Sequence, residues 1–145
     1  MATPVVAQVP YERILDAASE PGSWLTYSGT YGAQRYSTLD QINRENVARL
    51  QPSWIYQVRS LEKFEVSPLV VDGVMYITEP PSGVTALDLR TGRPIWSYRR
   101  ALPEGIVACC GLVNRGVALL DDQVFVGTVD AYLIALDART GRVRW

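Results

Sequence analysis

Few residues of this 145-residue chain could do chemistry, because it contains no histidine. That removes serine and cysteine triads built on an imidazole base, HExxH zinc sites and imidazole-ligated haem. Neither a GxGxxG nor a phosphate-cradling P-loop is present. Carboxylates, arginines and two cysteines remain, and the cysteines are neighbours, Cys109-Cys110. Joined, adjacent cysteines close a small ring across a distorted peptide, a rigid and largely apolar plate on which a flat ligand could stack. Left reduced, they would be two small side chains buried in a tight turn. Five positions on, Arg115 is either a guanidinium suited to bidentate pairing with carboxylates or a solvated surface charge. Glu65, in Glu65-Val66-Ser67-Pro68 at the mouth of a predicted strand, is in the same way either a ligand contact or a solvated charge.

The elements that must position these residues come from an internal repeat. Residues 69–96 (LVVDGVMYITEPPSGVTALDLRTGRPIW) and 118–145 (ALLDDQVFVGTVDAYLIALDARTGRVRW) align without a gap. Identities fall at Asp72/Asp121, at Ala86-Leu87-Asp88 over Ala135-Leu136-Asp137, at Arg90-Thr91-Gly92-Arg93 over Arg139-Thr140-Gly141-Arg142, and at Trp96/Trp145. Each copy reads as short strands. Asp72-Gly73 is a two-residue hairpin signal between β-rich runs, matched by Asp121-Asp122, and a second strand pair turns around Arg90-Thr91-Gly92. Four strands in ~49 residues is the period of a propeller blade. The pattern AxDxxTGxxxW has a packing explanation: a small Ala for close approach, Asp to bind turn amides, Gly to reverse the chain, Trp to fill the space between blades.

The rest of the composition sets limits. Fourteen basic and fifteen acidic residues leave a net charge of −1, so a nucleic acid is not an expected partner. No apolar run reaches the ~20 residues of a membrane helix. Residues 11–18 are expected as a short helix that packs Ile14 and Leu15 on the propeller, and residues 43–50 as a second helical turn. Arg99-Arg100, Asp121-Asp122 and the Arg90/Arg93 and Arg139/Arg142 pairs read as solvated rim charges.

In tandem, AxDxxTGxxxW resembles the tryptophan-docking motif of the pyrroloquinoline quinone (PQQ) dehydrogenases, which form eight-bladed propellers. WLTYSGTYGAQRY (24–36), LDQINRENVARLQPSW (39–54), FEVSPLVVDGVMY (64–76) and ACCGLVNRGVA (108–118) resemble the amino-terminal part of the alcohol-oxidising branch. The likeness covers nearly the whole chain from about residue 11, and ACCGLVNRG is its sharpest part. It implies an all-β fold: the N-terminal blades of a partial propeller, each blade four antiparallel strands. Residues 21–145 would form this incomplete domain, and residues 1–20 an N-terminal segment with a signal-peptide remnant and the short helix.

The resemblance further implies that Cys109 and Cys110 form a vicinal disulfide packed against one face of PQQ, and that Arg115 and Glu65 contact the quinone. It places no catalytic residue and no metal ligand in this chain, since the base and the ligands of a calcium or lanthanide ion belong to later blades. The implied reaction takes an alcohol to an aldehyde and passes electrons to a cytochrome c in the periplasm. A non-catalytic scaffold resembling outer-membrane assembly lipoproteins, and a sensor or sugar-oxidising relative, share the blades; the scaffold and sugar-oxidising relatives generally lack the cysteine pair. At ~49 residues per repeat the chain holds three blades at most, while closed propellers use roughly four to eight. It is therefore expected to be part of a longer protein or to need the remaining blades from a partner chain, and to have no turnover alone.

Overall fold

The computed structural model describes residues 8–145. Of the N-terminal segment expected to carry a signal-peptide remnant, residues 1–7 lie outside the described residues. Two antiparallel sheets form, one from each repeat. The first runs β1 (Leu69–Val71), β2 (Val74–Glu79), β3 (Gly83–Asp88) and β4 (Pro94–Arg99) in that order; the second runs β5 (Ala118–Leu120), β6 (Gln123–Gly127) and β7 (Leu133–Asp137). The first is the four-stranded blade expected. In the second the fourth strand is reduced to a bridge between Leu136 and Val143, extended by the Ala135 N–H donating to the Trp145 carbonyl at 3.0 Å.

The repeat in sequence is a repeat in register. Leu69 pairs with Tyr76 in the first sheet and Ala118 with Phe125 in the second, at equivalent positions. Asp72 and Gly73 both take positive φ, 50° and 77°, as a type I′ hairpin turn requires, and Asp121 follows with 51°. Tyr76 packs on Trp96 and Phe125 on Trp145, each pair with ring centroids 5.9 Å apart. The carboxylates of Asp88 and Asp137 each accept from the amide three residues on, Thr91 N–H and Thr140 N–H at 2.8 Å, which closes the motif's turn.

The core lies between the sheets. Leu69, Val71, Val84 and Ala86 from the first meet Leu119, Val124, Val126 and Leu136 from the second. The small Ala86 and Ala135 are fully buried, as close approach demands. Trp96 crosses the gap: its indole N–H donates to the Ala138 carbonyl at 2.9 Å, and a Cβ placed on Gly141 would collide with its ring. Strand β3 is buried on both faces, because residues ahead of the first sheet cover its far side. There Trp54 donates to the Leu89 carbonyl at 2.9 Å over Gly92, and the Tyr56 hydroxyl donates to the buried Glu79.

The N-terminal segment ties the two sheets along their remaining edges. Trp24 and Val70 exchange both backbone hydrogen bonds, and Val9 and Asp121 do the same. Helix α1 (Tyr11–Leu15) buries Ile14, but Leu15 is exposed, correcting its expected packing role: the helix is barely more than one turn and presents one side chain inward. Its Arg13 bridges Glu20 and Asp72, at 2.7 and 2.8 Å. The second expected helix, residues 43–50, is a single 3₁₀ turn at Val47–Arg49 with no buried residue. Several supposed rim charges are paired. Arg99 binds Glu79, Arg100 grips Asp130 through two nitrogens and stacks 4.1 Å over the Tyr132 ring, and Asp122 binds Arg144. Among the described residues, no helix is long and apolar enough to cross a membrane.

Candidate cofactor site

Glu65 and Arg115 sit on the two segments that lead into β1 and β5, at the end of the sheets opposite the Asp72 and Asp121 turns. The Ser67 N–H donates to the Arg115 carbonyl at 3.0 Å, so the segments run together. Across that join the guanidinium of Arg115 meets the Glu65 carboxylate at 3.0 Å. Arg115 is the more exposed partner, and most of its five N–H donors stay free of Glu65.

Cys109 and Cys110 lie in the loop that carries Arg115. Both are exposed, which corrects the reading of two buried thiols, and their sulfurs are 3.1 Å apart as unbonded thiols. The Cys109 thiol is pushed above its ordinary pKa, first by its hydrogen bond to Cys110 and then by the charge Cys110 would carry; the positive field of Arg115 opposes this. Arg115 is thus within electrostatic reach of the sulfurs, and the carboxylate of Glu62 comes close to Gly111. The structure thus pairs Glu65 with Arg115 and carries Cys109-Cys110 on the loop that leads to Arg115. Among the described residues, no three thiol, carboxylate or imidazole groups are arranged to hold a metal ion.

Residues 24–144 match the family model described as the glucose/ethanol/alcohol dehydrogenase β-propeller domain of the PQQ proteins. The chain belongs to this family. It is 47% identical over 136 residues to the dehydrogenase subunit of a quinone alcohol dehydrogenase of Komagataeibacter europaeus, covering 92% of this chain and 18% of that one. It is 45% identical over 150 residues to the quinohemoprotein alcohol dehydrogenase ADH-IIG of Pseudomonas putida, covering all of this chain and 20% of that one. The solved structure of that P. putida enzyme superposes with a TM-score of 0.88 at 43% identity, over 97% of this chain and 21% of its own. A europium-containing methanol dehydrogenase superposes at 0.87 and 38% identity, over 92% and 24%. The chain spans about a fifth of the length of the curated relatives it matches.

Within this PQQ-family domain, the residues that sequence reasoning passed over are those that hold the site in place. Asn114 fastens the loop around Arg115 to both sheets. Tyr27 and Arg35 flank the Glu65 segment, with the Arg35 guanidinium 4.6 Å over the Tyr27 ring. Hydrogen bonds from Arg35 and Ser67, together with the Arg115 charge, hold the Tyr27 phenol below its usual pKa. Only the aromatic and basic character of GTYGAQRY hinted at this second guanidinium.

Proposed function

We propose that this chain supplies part of the seat for PQQ in a dehydrogenase that oxidises alcohols to aldehydes, with Glu65, Cys109, Cys110 and Arg115 as its contacts. The observation that carries the reading is the Glu65–Arg115 ion pair, whose arginine shares a loop with two exposed adjacent sulfurs and lends its charge to Cys109. The donor set suits the group. PQQ is a flat polycarboxylate; a guanidinium with free N–H donors matches its carboxylates, and exposed sulfur offers its rings a polarisable surface. When bound, the quinone supplies an electron-pair acceptor and a calcium or lanthanide ion supplies Lewis acidity. No ligand of that ion is assigned to this chain.

The chain's own residues have simpler tasks. Arg115 anchors and orients a carboxylate, and Glu65 pairs with one side of its guanidinium. In this reading Cys109 and Cys110 are oxidised in the periplasm: two S–H bonds break, one S–S bond forms, and two electrons and two protons pass to a disulfide or quinone oxidant, which becomes a dithiol or quinol. The sulfurs would close by about 1 Å to reach bonding distance. The resulting ring excludes water from one face of the ligand. Electrons would leave to a cytochrome c, and the remaining blades or a partner chain would supply the substrate pocket.

The test is dye-coupled oxidation of short primary alcohols by the polypeptide joined to its remaining blades and reconstituted with PQQ and calcium. Turnover of alcohols in preference to aldose sugars, lost in Arg115→Ala, is expected. Turnover of sugars alone, or none with any alcohol, would overturn the reading.

A further inference from the structure

We infer that Asn114 is a positioning residue for Arg115, clamping its backbone between the two sheets so that the guanidinium is presented at their join. The functional consequence rests on the quinone-seat reading above; the geometry does not.

Asn114 uses its side chain and its carbonyl to reach three places. Its Oδ1 accepts from the Gly116 N–H at 3.0 Å, closing a turn around Arg115. Its Nδ2 donates to the Gly127 carbonyl at 2.6 Å, at the end of β6 in the second sheet. Its carbonyl accepts from the fully buried Thr78 hydroxyl at 3.0 Å, on β2 of the first sheet. One partner is an N–H and the other a carbonyl, so only this orientation of the amide satisfies both.

The residues on either side of the guanidinium complete the clamp. The Arg115 carbonyl is held by Ser67, and Gly116 adopts φ of 143° where a Cβ would lie 3.1 Å from the Ser67 carbonyl. The ion pair with Glu65 cannot do this alone. The Arg115 side chain is 60% exposed and that of Glu65 35%, and exposed pairs contribute too little to hold a long side chain in one geometry. The fixed backbone therefore limits where the guanidinium can go, and Asn114 is the residue that joins that backbone to both sheets.

The closing experiment reads Arg115 first without ligand and then with PQQ. In the full chain, ¹⁵N relaxation at Arg115 Nε is compared with that in Asn114→Ala, Asn114→Asp and Thr78→Val. Asn114→Asp keeps the acceptor and loses the donor, and Thr78→Val keeps the fold should the alanine variant fail to assemble. Order at Nε is expected to fall in all three variants, most in Asn114→Ala, and unchanged order in every folded variant overturns the proposal. PQQ affinity is then measured for Asn114→Ala, Arg115→Ala and the double variant. A roughly tenfold loss in each single variant, with no further loss in the double, marks Asn114 as acting through Arg115. Additive losses would mean a separate structural role and sink it. Loss of order with PQQ affinity unaltered even in Arg115→Ala would leave the clamp standing and remove the quinone reading.

Discussion

Trp54 and Trp96 occupy the same seat in successive layers of the molecule. Each indole N–H donates at 2.9 Å to a carbonyl, Leu89 for one and Ala138 for the other, and each ring covers a glycine with positive φ, Gly92 at 68° and Gly141 at 69°. The glycine is demanded twice over, by the left-handed backbone and by the ring resting on it.

Trp96→Ala is expected to cost about 3 kcal/mol, the low end for a large aromatic because the ring is only half-buried. Trp96→Phe should cost nearer ~1 kcal/mol, since the Ala138 carbonyl keeps the Tyr76 hydroxyl at 3.2 Å. Gly141→Ala should lose at least about 2 kcal/mol, and less when Trp96 is already alanine, because the clash is then gone. Denaturant unfolding of the two single variants and the double variant checks this; strict additivity would mean that Gly141 and Trp96 do not meet.

Acid should weaken the fold through carboxylates paired only in the folded state. Burial pushes the Glu79 carboxyl upward, but hydrogen bonds from Thr85 and Tyr56 and the charge of Arg99 outweigh it and leave it below its ordinary value of 4.5. Asp137, drawn down first by the hydrogen bond from Arg144, reaches about 2. A carboxyl with a depressed folded pKa contributes fully above its unfolded pKa, and the contribution is lost as pH falls through the folded one. Melting temperature should therefore decline from about pH 4.5 toward about pH 2, and Glu79→Gln should flatten the upper part of that decline. A melting temperature independent of pH across this range would contradict the assignment.

The cysteine pair should give different signatures in its two states. Reduced, two exposed thiols in contact should capture one trivalent aryl arsenical per chain, and Cys110→Ser should abolish this. Oxidised, the chain should be about 2 Da lighter with no dimer. Intact mass under denaturing conditions reads both states. Disulfide-linked dimers in place of the internal bond would show that the sulfurs cannot close on each other.

The sheets were legible because their pattern is local: turn signals, alternation and an eleven-residue motif occurring twice. Trp54 was not, because no Ala-x-Asp-x-x-Thr-Gly stretch precedes it to mark it as the closing tryptophan of a repeat. Its signal was the echo of Trp54-Ile55-Tyr56 in Trp96-Ser97-Tyr98. Arg99 and Arg100 read as rim charges because their partners, Glu79 and Asp130, are 20 and 30 residues away and reach them only through packing. Glu65, Cys109, Cys110 and Arg115 were found through a family likeness. What sequence spacing could not supply was the role of Asn114, which depends on two sheets meeting at one loop.

In the proposed seat, Arg115 and the two sulfurs address a single ligand. Equilibrium titration of the oxidised chain with PQQ, followed by quenching of tryptophan fluorescence, tests this most directly. One saturable site is predicted, weakened roughly tenfold or more by Arg115→Ala and weakened again by reducing Cys109-Cys110. Binding indifferent to both changes, or no binding to the folded chain, would contradict it.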